Sequence, residues 1–188
     1  MATSPRPGLI TAAQFLEIDF GPDIKAELDN GVIRVVRNMA GGSYRNSRIQ
    51  MNIGAILWTA LKGSKCHVHG SDMAILIDDY SVRYPDLSVF CGKQDEAFDE
   101  IKAANDPVMI VEILSPSTAL LDQGLKLDEY RAIPSVQAVL LVDPKAECVR
   151  VLSRTGPNAW TDEMHGDDEA ISIAGLNIEI PLTDIFAR

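Results

Sequence analysis

The sequence predicts an α/β fold of the α+β type, in which a mixed β-sheet is flanked by helices. Two apolar runs, residues 108–114 and 137–142, have the length and composition of strands that are buried on both faces. Apolar residues between 47 and 61 recur at helical spacing, and alternating residues on both sides of 29–31 indicate a hairpin. Strands of the buried kind belong at the centre of a sheet that helices cover.

The first half of the chain reads as a hairpin, a helix and three short strands. In "AELDNGVIRVVRN" the Asn30-Gly31 pair is the turn that two-residue hairpins favour. The helix over 47–61 takes its N-cap from Asn46 or Ser47, and Gly63 follows its end. The segments "KCHVHG", "DMAILIDD" and "YPDLSVFCG" then predict the three strands.

The second half alternates polar segments with buried strands. The segment "KQDEAFDEIKAAND" is charged and predicts a solvated loop with one helical turn. A helix ending near Arg131 separates the two apolar runs, and "AECVRVLSR" alternates as a further strand. "TDEMHGDDEA" is interpreted as an acidic surface loop, and "GLNIEIPLTDIF" closes the chain. Because no linker interrupts this order, a single domain over 1–188 is predicted.

Charge and hydropathy exclude several classes of protein. The net charge is −10, which argues against a general nucleic-acid binder. Residues 1–65 nevertheless hold eight Lys and Arg against five Asp and Glu, so one face could still meet a polyanion. No run approaches about 18 apolar residues, the length that spans a bilayer. The N-terminus lacks the pattern of a secretory signal, so we expect no membrane association and a cytoplasmic location.

The three cysteines favour free thiols over a disulfide or a zinc site. Cys66, Cys91 and Cys148 are odd in number, far apart and without a CxxC pair. We therefore expect buried free thiols in a reducing compartment.

The chemistry of the chain centres on a carboxylate in an apolar run. Glu112 is the one charged residue of 108–114, and alternation places it on the same side of the strand as Ile110. A buried carboxylate is costly unless something pairs with it. Asp86, in "RYPDLSVF", begins another strand and could be that partner across a shared cation. Oxygen ligands of this kind suit Mg²⁺ or Mn²⁺.

The helix after Glu112 supplies further polar groups. Ser115, Ser117 or Thr118 could cap it. Asp122, Lys126 and Tyr130 then follow at intervals of four residues, so they form a stripe on one helix face. If Lys126 turns toward Glu112, its ammonium could hold the attacking water or a scissile phosphate.

These motifs together resemble a known family. "YPD" at 84–86, "VEILSPST" at 111–118 and "LLVDP" at 140–144 are, with the helix stripe, similar to the Uma-type family of putative restriction endonucleases. That family lies within the PD-(D/E)xK nuclease superfamily. The resemblance covers about residues 12–186, which would be the restriction endonuclease domain. It implies a restriction-endonuclease-like core that carries an N-terminal hairpin.

The resemblance implies a metal-dependent phosphodiesterase that acts on nucleic acid, with DNA the expected substrate. Asp86 and Glu112 would coordinate Mg²⁺ or Mn²⁺, the backbone carbonyl of Ile113 would be a third ligand, and Glu27 would complete the site. Asp122 and Tyr130 would support it. Superfamily nucleases that cut both strands commonly work as dimers, so a homodimer is expected.

Two positions depart from the family pattern. The superfamily places its lysine two residues after the acid, where this chain has Leu114, so Lys126 would substitute for it. Relatives tend to carry a histidine before the long helix, where this chain has Asn46. Arg45 and Arg48, at the start of that helix, are candidates to contact the DNA backbone.

Other interpretations of the same residues stay open. Glu112 could be a strand-end carboxylate that bonds backbone donors, and Glu27 a surface acid of the hairpin. His67 and His69 share one strand face, but two histidines without a third ligand are more often partly buried polar residues. Gly41-Gly42-Ser43 is not a phosphate loop, because no GK[ST] follows. The rival hypothesis for the whole chain is a catalytically inactive nuclease-fold module that binds or assembles, as a homodimer for instance.

Overall fold

The computed structural model describes residues 8–21, 24–36, 43–92, 100–115, 124–167 and 169–188. The helices are α1 Ala12–Leu16, α2 Tyr44–Ala60, α3 Leu125–Ala132 and α4 Leu182–Ile185. The strands are β1 Lys25–Asp29, β2 Val32–Val36, β3 Cys66–Gly70, β4 Ala74–Asp78, β5 Ser81–Arg83, β6 Leu87–Cys91, β7 Ala103–Ala104, β8 Pro107–Ile113, β9 Ala138–Asp143, β10 Cys148–Gly156, β11 Ala159–His165, β12 Ala170–Ile173 and β13 Ile178–Pro181.

The described strands form two mixed sheets and one small hairpin. This confirms the mixed α/β class, but the prediction of a single mixed sheet is wrong. The larger sheet has the order β11-β10-β9-β8-β6-β3, and its one parallel pair is β8 with β9. The smaller sheet has the order β2-β1-β5-β4-β7, and β12 pairs with β13. The two buried runs are therefore adjacent strands inside the larger sheet. α3 lies on the crossover between them, as a parallel connection requires.

The side chains of the larger sheet divide between two apolar clusters. Val89, Met109 and Val111 pack in one cluster with the buried face of α2. Ile110 packs in the other, together with Tyr130 of α3. Because side chains alternate along a strand, Glu112 shares the face of Ile110 and points toward α3.

The N-terminal hairpin forms as the sequence predicts. Asp29 pairs with Val32, which leaves Asn30 and Gly31 as a two-residue turn. Both have positive φ, 49° and 81°, the conformation that an Asn-Gly turn provides. A Cβ atom on Gly31 would lie 2.7 Å from the Cβ of Leu9, so this position requires glycine for space as well as for φ.

Replacing this glycine should measure the cost of that close approach. We expect Gly31→Ala to lower the free energy of unfolding by more than the roughly 1–2 kcal/mol that positive φ alone costs a residue with a Cβ. Gly21→Ala is the matched control, because Gly21 also has positive φ, 76°, but nothing lies within 4 Å of its added Cβ. Chemical denaturation of both variants checks this. Equal losses would show that Leu9 moves aside freely.

Helix α2 is confirmed, but its predicted cap is wrong. The helix starts at Tyr44, and the side chain of Ser43 accepts a hydrogen bond from the backbone N–H of Asn46. Asn46 and Ser47 therefore lie inside the first turn. The helix was predicted from the spacing of its apolar residues. Asn46 and Ser47 are polar, so that spacing predicted a start a few residues after the true one. Ile49 and Leu57 are among the residues that bury its inner face.

Two further expectations are wrong. Part of the segment expected to be an acidic loop, "TDEMHGDDEA", belongs to strand β11, which pairs along its length with β10. This strand lies at the sheet edge with mostly exposed side chains, so no apolar alternation marks it.

Cys66 and Cys91 are joined by a disulfide, because they face each other across β3 and β6. Cys148 is a free thiol and is partly exposed.

Two predicted features reach beyond the described residues. Of the charged segment after β6, residues 93–99 lie outside them, whereas Ala103–Ala104 form β7 beside β4. The helix caps Ser117 and Thr118 also lie outside. Within the described part of the chain, no helix is both long enough and apolar enough to cross a bilayer.

Candidate active site

Glu112 is a buried carboxylate with specific partners. It is only 4% exposed, near the end of β8. Its Oε1 accepts a hydrogen bond from the hydroxyl of Tyr130 at 2.7 Å and lies 3.3 Å from the ammonium nitrogen of Lys126. Both partners come from α3, the crossover helix packed on this face of the sheet. The structure thus supplies the pairing that a carboxylate in an apolar strand requires.

Lys126 connects Glu112 to an acid of the other sheet. Its Nζ lies 3.1 Å from Oε1 of Glu27 on β1, as well as near Glu112, and the side chain is 7% exposed. The described structure therefore brings together Glu27, Glu112 and Lys126, which are far apart in the sequence. One ammonium between two buried carboxylates reduces the repulsion that the carboxylates would otherwise have.

Asp86 lies immediately beside this group, just before β6. Its Oδ2 accepts a hydrogen bond of 2.6 Å from the backbone N–H of Ile113, the residue after Glu112. The side-chain amide of Gln50, on α2, donates to the backbone carbonyl of Asp86 at 2.9 Å. The register of β6 with β8, in which Leu87 faces Val111, explains why the two acids are neighbours.

Arg83 is a buried cation that pairs with several acids of this region. It was not among the predicted site residues. Its side chain is fully buried on β5, and its guanidinium bonds both carboxylate oxygens of Glu129 at 2.6 and 2.7 Å. It also lies 3.2 Å from Asp29 and 3.5 Å from Glu27. Burial lowers the pKa of Arg83. The hydrogen bond and charge of Glu129 and the charges of Glu27 and Asp29 raise it by more, so the pKa lies above its usual value. The only sequence signal was an arginine directly before "YPD".

Asp29 is a further buried acid, and it pairs with Arg83 and Arg34. Burial raises the pKa of Asp29, but hydrogen bonds and charges from Arg34 and Arg83 lower it by more, so it lies below its usual range. The ionised form is therefore the stable one at neutral pH. Because the folded-state pKa is depressed, this stabilisation is present above the ordinary pKa and is lost as the pH falls through the lowered value.

Lys25 is a second lysine near the acids and was also missed. It precedes Glu27 by two residues on β1, so both side chains lie on the same side of the strand. Burial lowers the pKa of Lys25, and the charges of Asp72, Asp86, Glu27 and Glu112 act in the opposite direction. The neighbouring Tyr84 donates its backbone N–H to Oε1 of Glu27 at 3.2 Å.

The remaining predicted residues either have partners other than the acid cluster or lie outside the described residues. Asp122 lies outside the described residues, so its support of the site stays a prediction. Arg45 forms a close ion pair with Glu147. Arg48 lies over the ring of Tyr44, 5.5 Å from its centroid, and its buried Nε has no hydrogen-bond partner among the described residues.

His67 and His69 of β3 were the other candidate metal ligands. Within the described ranges, no group of three or more His, Cys, Asp and Glu residues is placed to hold a metal ion. His69 instead packs edge-on against Phe90, with ring centroids 5.5 Å apart. Burial, with a smaller effect of the charge of His67, lowers the pKa of His69.

The donor set near Glu112 fits a hydrated Mg²⁺ or Mn²⁺ better than a fully protein-ligated ion. The adjacent candidates are the carboxylates of Asp86 and Glu112 and the backbone carbonyl of Ile113, all of them oxygen donors. Mg²⁺ in proteins commonly uses one or two carboxylates and keeps several waters. A site with only two carboxylates is therefore chemically suitable for this ion.

Comparison with known proteins places the chain in a family. The model of the Uma2 family, described as "Putative restriction endonuclease", matches residues 12–183. The chain belongs to the Uma2 family. Two relatives from Synechocystis sp. (strain ATCC 27184 / PCC 6803 / Kazusa), both called uncharacterized proteins, match this Uma2 chain. The protein sll1609 is 28% identical over 90% of the chain and 96% of its own length. The protein slr1290 is 29% identical over 79% of the chain and 77% of its own length.

A solved structure shares the fold of this Uma2 protein. It is the crystal structure of a putative nuclease belonging to DUF820 from Anabaena variabilis ATCC 29413. The TM-score is 0.73, with 95% of this chain and 98% of that chain covered and 20% sequence identity. At that identity the likeness shows the fold alone.

Proposed function

We propose that this Uma2 protein is a metal-dependent endonuclease with a restriction-endonuclease-like core, and that it hydrolyses phosphodiester bonds of DNA. The observation that carries the proposal is the meeting of Glu27 and Glu112, from strands of two sheets, at the ammonium of Lys126. Asp86 lies beside them, bonded to the backbone N–H of Ile113. The family is described as a putative restriction endonuclease, and the Anabaena protein is called a putative nuclease; both descriptions support the same reaction.

Each residue has a distinct proposed role. Asp86, Glu112 and the carbonyl of Ile113 would hold Mg²⁺ or Mn²⁺, which when bound lowers the pKa of a water and neutralises charge on the phosphate. Tyr130 fixes the orientation of Glu112 through its hydroxyl. Lys126, which stands in for the lysine absent at Leu114, keeps Glu27 and Glu112 together and adds positive charge for the reacting phosphate.

The proposal extends to partners. Arg45 and Arg48 at the start of α2 are proposed contacts for the DNA backbone, and the active form is proposed to be a homodimer that cuts both strands. Because Arg45 is paired with Glu147, DNA would have to compete with that carboxylate. Arg48 is therefore the stronger candidate of the two.

Cleavage assays test the proposed activity directly. We expect the purified protein to cut DNA with Mg²⁺ or Mn²⁺, and Asp86→Asn or Glu112→Gln to reduce the rate by at least about 10²–10³-fold. Asp106→Asn is the matched control, because Asp106 is an exposed acid before β8, at the end opposite to Glu112. Equal cleavage by all four proteins would reject the assignment.

A non-catalytic binding or assembly module is the second candidate. It is favoured by Leu114 at the expected lysine position and by the net charge of −10. A thermal-shift assay separates the two functions, because an ion that binds the native state raises its melting temperature by mass action. The enzyme requires a rise with Mn²⁺ that disappears in Asp86→Ala, whereas a module without a metal site shows no rise.

A further inference from the structure

A small open cavity lies between α1 and β1, the strand that carries Glu27. Its volume is about 210 Å³, and the described residues that line it include Phe15, Phe20, Ile24, Lys25, Asp72 and Tyr84. Two of these residues tie it to the acids. Lys25 shares a side of β1 with Glu27, and the backbone of Tyr84 donates to Glu27. None of the roles proposed above uses this cavity.

We propose that this cavity binds one unpaired base of the substrate strand and that Lys25 contacts the phosphate next to that base. The proposal rests on the proposed function, since it assigns the substrate strand a position at the same site. It identifies the ligand class as a nucleotide in a single-stranded or locally unpaired segment. It also gives the two lysines different positions on the substrate, because Lys25 contacts the phosphate next to the unpaired base whereas Lys126 acts at the reacting phosphate.

The surroundings of the two lysines support this division. Lys126 lies between Glu27 and Glu112 and is almost fully buried, so its charge is shared with the two carboxylates. Lys25 is partly exposed on the cavity wall, and its Nζ donates to the backbone carbonyl of Ser71. Burial lowers the pKa of Lys25, and the charges of four nearby carboxylates, including the proposed metal ligands Asp86 and Glu112, oppose that shift only in part. A phosphate would therefore meet Lys25 at the cavity wall, in exchange for the bond to Ser71 and without displacing a carboxylate.

The walls of the cavity suit a base better than a second phosphate. Aromatic side chains line it, and the side chain of Ile24 is 47% exposed at its edge. Bases stack on aromatic rings with little dependence on sequence. Asp72 offers a carboxylate acceptor for the N–H groups on a base edge. The volume lies below the roughly 300 Å³ of the smallest drug-sized sites, so the proposed occupant is one base and not a base pair.

Binding can be measured without cleavage, in the Glu112→Gln background and without a divalent ion. The probes are a short fluorescent single-stranded DNA and the same sequence as a duplex. We expect Lys25→Met to weaken single-strand binding about tenfold and to reduce the slope of log affinity against log salt by about 0.7, the value of one lost phosphate contact. The control is Lys65→Met, which removes an exposed lysine at the opposite end of β6 from Asp86 and should leave the slope unchanged.

A base analogue tests the cavity itself. A single 2-aminopurine, moved along the strand, should change its fluorescence at one position, and Phe20→Ala should remove that change. Melting temperatures of the variants show that they are folded. Equal affinities and slopes for Lys25→Met and Lys65→Met, or no position with a fluorescence response, would overturn the inference.

The outcomes also separate this inference from the proposed activity. Metal-dependent cleavage by the wild type, unaffected by Lys25→Met, would leave the nuclease standing and reject the cavity. Binding that depends on Lys25, with no cleavage under any metal, would support the cavity and reject the nuclease.

Discussion

Arg83→Met should destabilise the protein by about 3–5 kcal/mol, the usual cost of removing one partner from a buried ion cluster. The guanidinium is fully buried and bonds carboxylates from β1 and α3. Without it, Glu27, Asp29 and Glu129 would lie close together with fewer cations between them. Arg83→Lys should recover only part of the loss, because an ammonium does not reproduce the two parallel bonds to Glu129.

Chemical denaturation measures this effect against a surface pair of similar geometry. Arg150 makes two short bonds to Asp162, at 2.8 and 2.6 Å, but both side chains are partly exposed. Arg150→Met should therefore cost no more than about 1 kcal/mol. If Arg83→Met costs no more than Arg150→Met, the buried cluster does not hold the sheets and α3 together.

Lys126→Met should have the second-largest effect, on stability and on activity together. Removal of the ammonium leaves Glu27 and Glu112 facing each other, so we expect a loss of about 3–5 kcal/mol and at least a hundredfold slower cleavage. A divalent ion at the acids would replace part of the missing charge. The rise in melting temperature with Mn²⁺ should therefore be larger in Lys126→Met than in the wild type.

Lys126→Arg tests whether position or charge matters. It keeps the positive charge between Glu27 and Glu112, so stability should largely return, whereas the bulkier guanidinium should leave cleavage impaired. Full cleavage by Lys126→Met would remove this amine from the mechanism. A loss of cleavage with unchanged stability would show that the ammonium does not support the two carboxylates.

Local patterns were sufficient to place Glu112 and Lys126 because neighbouring elements determine their positions. Alternation along β8 gives the face of Glu112, and the crossover to β9 places α3 on that face. Asp86 follows in the same way from a strand that pairs with β8. These positions depend on residues that are close in the sequence or on the geometry of parallel strand pairing. They can therefore be predicted from the sequence.

The cations and the disulfide depend on long-range geometry that no local pattern encodes. Arg83 meets Glu129 only because the smaller sheet packs beside α3, and the two residues are 46 positions apart. Lys25 approaches the acids for the same reason. Cys66 and Cys91 bond because the register of β3 with β6 sets them opposite each other. Spacing alone showed nothing but an odd number of cysteines.

The acids of the site belong to sheets with unequal support. β8, which carries Glu112, is hydrogen-bonded on both sides, to β6 and to β9, over most of its length. β1, which carries Glu27, pairs fully with β2, but with β5 at a single register position, Leu28 with Val82. Backbone amides of β1 should thus exchange with solvent through smaller openings than those of β8. Such a local opening would withdraw Glu27 while the central strands, with Asp86 and Glu112, stayed folded.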